Sequence, residues 1–412
     1  MAERSRSLAR LGLRDLAAGT GLVAALVLVG IILAGALARP GGADTSGPAS
    51  PPPRGRSPAR PLSREAAERA GLAPREAMWW DALGSDAVRC TLCPRRCVLY
   101  PGQRGWCRVR SNYGGKLHTL VYGSPVSANA RDPIEKKPLY HVLPGSRVTS
   151  IATAGCNLGC LFCQNWQISQ AYPEATPPDG PLSPEAIVRA AKRAGASAVA
   201  YTYTEPTIFY EYMLETARLA REAGLKNLWV TCGYIEEAPL RELAKVLDAA
   251  NVDLKGFTDA FYRKYCGAER APVLRTIKLL KELGVHVEVT NLVIPGANDD
   301  EADVRAMCRW LAKEVGPETP FHLSRYHPDY RMRSPGPTPL ETLVRLREVA
   351  REEGLAHVYI GNVAAPDGGT TRCAGCGAVL IERAYGYVVR RQRVGPDGRC
   401  PECGAAVPGV WK

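Results

Sequence analysis

The sequence predicts an α/β core on a parallel sheet of six strand–helix units, either a partial barrel or an open doubly wound sheet. Three observations carry this expectation. From Val148 onward short apolar runs alternate with segments of helical spacing, and each run ends in a polar or glycine-containing loop. Alternation of this kind gives parallel strands joined by right-handed crossovers, and six units are too few to close an eight-fold barrel. A group of three cysteines follows the first run directly, at the strand end where such folds carry their reactive groups.

In chain order the candidate strands are 148–154 (VTSIATA), 197–203 (SAVAYTY), 227–231 (NLWVT), 251–255 (NVDLK), 285–294 (VHVEVTNLVI) and 320–325 (PFHLSR). Between and after them, 184–194, 207–223, 238–249, 271–283, 301–314 and 339–353 repeat apolar residues at helical spacing.

The length of 412 residues suggests two or three domains, and 46% hydrophobic with 23% charged residues excludes wholesale disorder and collagen-like repetition. Five of the twelve net positive charges fall in residues 1–76, so the remaining body is only mildly basic and nucleic acid is not an expected partner. Residues 1–15 form a basic segment, and 16–38 are 23 residues without a charge, long enough for a transmembrane helix. A cleaved signal peptide ending at Ala36-Leu37-Ala38 is the competing reading. Arg4, Arg6, Arg10 and Arg14 before the run place the N-terminus inside, but Arg39, Arg54 and Arg56 after it leave the orientation weakly specified. Residues 39–75 are rich in Pro, Gly, Ser and Arg and read as a disordered linker.

Eleven of the 14 cysteines fall into three groups, which points to metal chemistry. The central group, Cys156-x3-Cys160-x2-Cys163, offers three thiolates. Three thiolates can hold three irons of a [4Fe–4S] cube and leave the fourth iron to an external ligand. A sulfonium amino acid can chelate that iron through its amine and carboxylate, and an electron from the cluster can cleave its C–S bond. Part of a zinc site is the alternative, and it would need a fourth ligand.

With this motif, residues 148–361 resemble the radical S-adenosylmethionine (SAM) superfamily. The resemblance implies a partial (β/α)6 barrel holding a [4Fe–4S] cluster on Cys156, Cys160 and Cys163 with SAM at its open iron. In Tyr203-Thr204-Glu205-Pro206-Thr207, at the superfamily's GGE position, both glycines are absent and Glu205 is the residue expected to meet the SAM amino group. Asp253-Leu254-Lys255 and Ile294-Pro295-Gly296 with Asn298-Asp299 resemble pyruvate formate-lyase activating enzymes. There Asp253 and Lys255 are expected to orient SAM, and His327 of Tyr326-His327 falls where that group contacts its nucleoside end. The stretches GWCRVRSN, DPIEKKPLYHVLPGS, CQNWQISQ, YTYTEPTIFYEY, DLKGFTDAFYRKYCGA and VPGVW are similar to the AmmeMemoRadiSam system radical SAM enzymes.

The implied activity is reductive cleavage of SAM and hydrogen abstraction from an unknown substrate. Its implied partners are a one-electron donor such as flavodoxin or ferredoxin, and Memo-like and AMMECR-like proteins. The need for SAM and reducing equivalents favours a cytoplasmic body on a single-pass membrane anchor, against the charge count. A glycyl-radical enzyme activase is the alternative within the class. A zinc-ribbon nucleic-acid-binding protein on a degenerate barrel is the alternative outside it.

Two flanking groups hold four cysteines each. Cys90, Cys93, Cys97 and Cys107, in an N-terminal segment expected over 76–147, suit either zinc or an auxiliary [4Fe–4S] cluster; disulfides enter only if the body is exported. After the 148–365 core, Cys373-x2-Cys376-Gly and Cys400-x2-Cys403-Gly are knuckles of a zinc-ribbon-like module over 366–412, with rubredoxin-like iron as the alternative. Its strands are expected in AVLIE and GYVVRRQRV.

Of the single cysteines, Cys308 reads as core, Cys232 as lying at the site's rim, and Cys266 as a buried thiol or a hydrogen-atom donor. Lys136, Lys137 and His141 read as substrate or cofactor contacts or as a solvated turn. Arg325 reads as the partner of a carboxylate.

Overall fold

Eight strands form one sheet in strict chain order: β1 (Pro125–Pro133), β2 (Arg147–Thr153), β3 (Ala198–Tyr201), β4 (Lys226–Thr231), β5 (Ala249–Asp253), β6 (His286–Val293), β7 (Phe321–Arg325) and β8 (Val358–Gly361). The computed structural model describes residues 59–176 and 180–412. β1 pairs antiparallel with β2, and every later neighbour is parallel. The connecting helices are α1 (Pro184–Arg193), α2 (Tyr210–Glu222), α3 (Glu237–Ala244), α4 (Ala271–Glu282), α5 (Glu301–Glu314) and α6 (Leu340–Glu352).

A doubly wound sheet reverses its strand order at a switch point. This order never reverses, so crossovers of one hand keep the helices on one face and the sheet curls as a partial barrel. The concave side closes on small side chains: Val148 is level with Ala198, and Ala200, Leu228 and Ala249 follow in register. They pack against Ile134, Leu139 and Val142 from the β1–β2 connection.

All six expected strands and six expected helices form, with ends moved by a few residues. Two sheet members were not expected. β1 carries a proline at each end and the polar Asn129 and Arg131 on its exposed stretch, a pattern that reads as loop and that only an edge strand tolerates. β8 has four residues, too few for periodicity to register. Within the stretch expected as linker, Arg64–Arg69 is helical because the Ser63 hydroxyl accepts the Ala66 N–H at 3.1 Å. The apolar run 16–38 and the linker up to residue 58 lie outside the described residues. Among the described residues no helix is long and apolar enough to cross a membrane.

The C-terminal module forms a three-stranded antiparallel sheet of Thr371–Arg372, Val379–Ala384 and Val388–Gln392. Its tail closes the barrel at the start of the strands. The Val410 N–H donates to the His141 carbonyl and the Leu143 N–H to the Val410 carbonyl, each at 2.8 Å. A Cβ at Gly409 would lie 2.4 Å from the His141 carbonyl oxygen, so only glycine allows this approach. Arg383, fully buried, donates to the carbonyls of Tyr140 (2.6 Å) and Gly369 (3.0 Å).

Above this contact Glu288 is enclosed by donors: the N–H groups of Tyr140 (3.0 Å) and His141 (2.7 Å), and the rings of His322 (2.6 Å) and His286 (3.2 Å). Burial opposes its charge, yet the two histidines outweigh that and hold its carboxyl well below the usual range. His141 is therefore neither a ligand contact nor part of a solvated turn; it is buried between the Pro408 carbonyl (2.7 Å) and the Tyr359 hydroxyl (2.6 Å).

Candidate active site

The loop after β2 carries the three central cysteines, and its backbone is pinned from several directions. Gly155 has a φ of +95°, and a Cβ there would lie 2.6 Å from the Cys107 carbonyl oxygen, so the N-terminal segment packs directly on the loop. The Gly159 N–H donates to the Cys266 carbonyl and the Leu161 N–H to the Tyr265 carbonyl, each at 2.9 Å. Both acceptors belong to a π-helical turn, Tyr262–Cys266, after β5. From beyond β7, the Arg331 N–H reaches the Leu161 carbonyl at 3.0 Å, and Tyr330 stacks on Trp166 with ring centroids 5.3 Å apart.

Cys156, Cys160 and Cys163 open onto a cleft of about 270 Å³ at the carboxyl ends of the strands. Other walls of this cleft come from Thr204 after β3, Cys232 after β4, Asp253 and Lys255 at the end of β5, and Ser324 of β7. Cys156 and Cys160 are buried and Cys163 is partly so. Burial pushes the Cys156 thiol up, with Glu205 and Cys160 adding to the shift. Cys160 is raised first by its contact with the Cys266 thiol and then by burial. Burial and Cys160 raise Cys163, although the Ser169 hydroxyl at 3.1 Å works the other way. Burial and neighbouring groups thus disfavour all three thiolates, and a bound cation would offset that.

The Lys255 ammonium lies 2.7 Å from the Asp253 carboxylate. Burial pushes the lysine down, but Asp253 and the thiols of Cys232 and Cys160 outweigh it and hold it well above the ordinary lysine range. Cys232 thus faces the cleft as expected, and Cys308 is in the core.

Glu205 departs from its expected place. It is fully buried, and its carboxylate accepts from the Thr207 N–H (3.0 Å) and hydroxyl (2.7 Å), the Thr231 hydroxyl (2.7 Å) and the Cys232 N–H (2.6 Å). Three of these bonds go to Oε1 and one to Oε2, so the carboxylate is largely committed to the protein. Its neighbour Thr204 is the residue on the cleft wall. The Thr204 hydroxyl is buried with no hydrogen-bond partner among the described residues. Sequence reasoning missed it, because the motif directs attention to the acid.

His327 is exposed beside the cleft rather than on its wall, with its ring 3.1 Å from the Gln164 amide; Gln164 does line the cleft. Arg325 has no carboxylate partner among the described residues and donates to the Thr338 carbonyl at 2.8 Å. The two lysines of EKKPLYH divide. Lys136 is exposed on the cleft wall, whereas Lys137 is fully buried against Asp132 (2.8 Å) and the Tyr203 hydroxyl (2.9 Å), which excludes a solvated turn there.

Among the described residues, the ligand atoms of Cys373, Cys376, Cys400 and Cys403 lie within 4.8 Å of one another, with sulfur–sulfur distances of 3.6 and 3.8 Å across the pair of knuckles. The Gly377 and Gly404 N–H groups each close a knuckle onto a cysteine carbonyl at 2.9 Å. Four sulfurs at about 2.3 Å from one zinc ion stand about 3.8 Å apart, so this set has single-ion dimensions.

A model of the radical SAM superfamily matches residues 150–308. An uncharacterised protein of Methanocaldococcus jannaschii is 47% identical over 336 residues, covering 81% of this chain and 98% of its own length. The pyruvate formate-lyase 1-activating enzyme of Escherichia coli is 23% identical over 217 residues, covering 48% of this chain and 87% of that enzyme. Among solved structures, a domain of a pyruvate formate-lyase-activating enzyme from Bacteroides vulgatus aligns with a TM-score of 0.36 at 19% identity, over 40% of this chain and 100% of that domain.

Proposed function

The chain belongs to the radical SAM superfamily and is a radical SAM enzyme, and on that premise we propose that its central cleft cleaves SAM reductively and takes a hydrogen atom from a substrate. The observation that carries this reading is the convergence of Cys156, Cys160 and Cys163 on a cleft at the strand ends, beside a buried hydroxyl that lacks a partner. Both features fit the implied cofactors. A bound cation would offset the burial that opposes the three thiolates, and the Thr204 hydroxyl, with no hydrogen-bond partner among the described residues, is open to a polar ligand group. When bound, a reduced [4Fe–4S] cluster supplies the electron that breaks SAM into methionine and a 5′-deoxyadenosyl radical.

The chain's own residues do the rest. Cys156, Cys160 and Cys163 would hold three irons of such a cluster and leave one iron free to take an external ligand. Thr204 meets the amino group of SAM, and Glu205 acts as a positioning residue by tying the end of β3 to the end of β4. Asp253 and Lys255 present a fixed ion pair to the polar end of the ligand, and the π-helical turn holds the cysteine loop rigid beneath it. Gln164 and His327 stand at the open side, toward the nucleoside. The four C-terminal thiols hold a structural zinc ion.

The resemblance of several stretches to AmmeMemoRadiSam system enzymes makes Memo-like and AMMECR-like proteins the first partners to test, with flavodoxin or ferredoxin as the electron donor. The likeness to a pyruvate formate-lyase activating enzyme favours a second reading, in which hydrogen is taken from a glycine of another protein. Anaerobic reaction with SAM and dithionite tests the class: 5′-deoxyadenosine forms with the wild type. A glycyl EPR doublet on an added protein separates the activase reading from small-molecule chemistry.

A further inference from the structure

Cys90, Cys93, Cys97 and Cys107 ring a void of about 20 Å³ whose remaining walls include the apolar side chains of Leu92, Leu99 and Ile208. The cage is built by tight local pairing: the Cys90 N–H donates to the Cys97 carbonyl at 2.9 Å and the Arg96 N–H to the Cys93 carbonyl at 3.0 Å. Gly105 brings the later sulfurs in, since a Cβ there would stand 3.7 Å from Cys97 Sγ and 3.8 Å from Cys107 Sγ. None of the four is in a disulfide. Burial pushes Cys97 up to about 12, with Cys90 adding to the shift, and Cys93 and Cys107 are raised for the same first reason. One guanidinium, that of Arg110, points at the Cys90 sulfur from 3.8 Å.

Size separates this cage from the C-terminal one. Among the described residues, the C-terminal cysteines are the set whose ligand atoms all lie within 4.8 Å of one another. The N-terminal four, like Cys156, Cys160 and Cys163, do not form such a set among the described residues. Four sulfurs drawn in to about 2.3 Å around one ion need no further room, whereas these four also line a void that can take a water-sized object.

We propose that Cys90, Cys93, Cys97 and Cys107 hold a polynuclear iron–sulfur cluster and not a zinc ion. Four protein thiolates leave no iron open, so the group binds no substrate. It lies against the catalytic loop: Cys107 touches Gly155, and Arg95 Nε donates to the Asn157 carbonyl at 3.0 Å. The site stands independently of the proposed reaction, because it can be assayed in a chain that has lost the three central thiols.

The test is metal and sulfide analysis of the full chain carrying Cys156→Ala, Cys160→Ala and Cys163→Ala, after anaerobic reconstitution. The expected result is about two or about four irons with equal sulfide, visible absorbance bleached by dithionite, and about one zinc. Adding Cys93→Ser and Cys107→Ser should remove the iron and leave the zinc. Iron-free protein with about two zinc ions would overturn the assignment. If the triple variant does not fold, the wild type decides: about six or eight irons with one zinc support the cluster, and about four irons with two zincs refute it.

Discussion

Thr204 lines the cleft where Glu205 was expected, while Glu205 is buried among protein donors. The acid was legible in the sequence because carboxylates are conspicuous at a strand end. Its burial among protein donors was not legible, because Thr231 and Cys232 come from the next strand and only the folded register brings them within 2.7 Å and 2.6 Å. Replacing Glu205 by Gln sets an amide N–H₂ against these donors, so we expect a stability loss of about 3 kcal/mol, read as a lower Tm without SAM. A Glu205 that acted only on SAM would leave that Tm unchanged. Thr204→Val removes a hydroxyl that has no protein partner. It should leave Tm unchanged while weakening SAM binding about tenfold, measured as KM or by calorimetry. Lys137 carries the same lesson, since its fully buried pairing with Asp132 depends on the unforeseen edge strand β1.

The elements at the base of the barrel give a role to two stretches whose purpose was not readable along the chain. DPIEKKPLYHVLPGS supplies the plug beneath the sheet and VPGVW supplies the strap that pairs with it; they are more than 250 residues apart, a separation that local periodicity does not reach. Burial lowers His357 to about 4 from 6.5, while Glu288 pulls it up and His286 adds to the fall. His141 is depressed well below the usual range for the same first reason, with His357 adding to it. A histidine whose folded pKa lies below its unfolded value leaves the unfolded chain binding more protons, so its contribution is present above 6.5 and is lost as pH falls toward 4.

For His357 alone this is about 3 kcal/mol. Glu288, held low in the folded state, contributes above its unfolded value and loses that contribution only at more acidic pH. Thermal unfolding followed from pH 7 to 4.5 should therefore show a falling Tm, and His357→Phe should flatten part of the fall. An unchanged slope in that variant would remove His357 from the account.

Across the whole molecule the barrel was legible because each strand–helix unit declares itself locally, and the choice between barrel and doubly wound sheet was not, because strand order exists only in three dimensions. The flanking cysteine groups were likewise ambiguous in sequence. Both contain C-x2-C spacing, and among the described residues only the C-terminal four have all their ligand atoms within 4.8 Å of one another. Zinc in the C-terminal set makes a further prediction: a strong chelator should release about one zinc per chain and loosen the 366–412 module while the barrel's helical signal persists. The central set ties these parts to function. Its most direct measurement is anaerobic incubation of the reconstituted chain with SAM and dithionite, comparing wild type with Cys160→Ala for 5′-deoxyadenosine. The account predicts formation by the wild type and background levels in the variant; 5′-deoxyadenosine at wild-type levels from Cys160→Ala would contradict it.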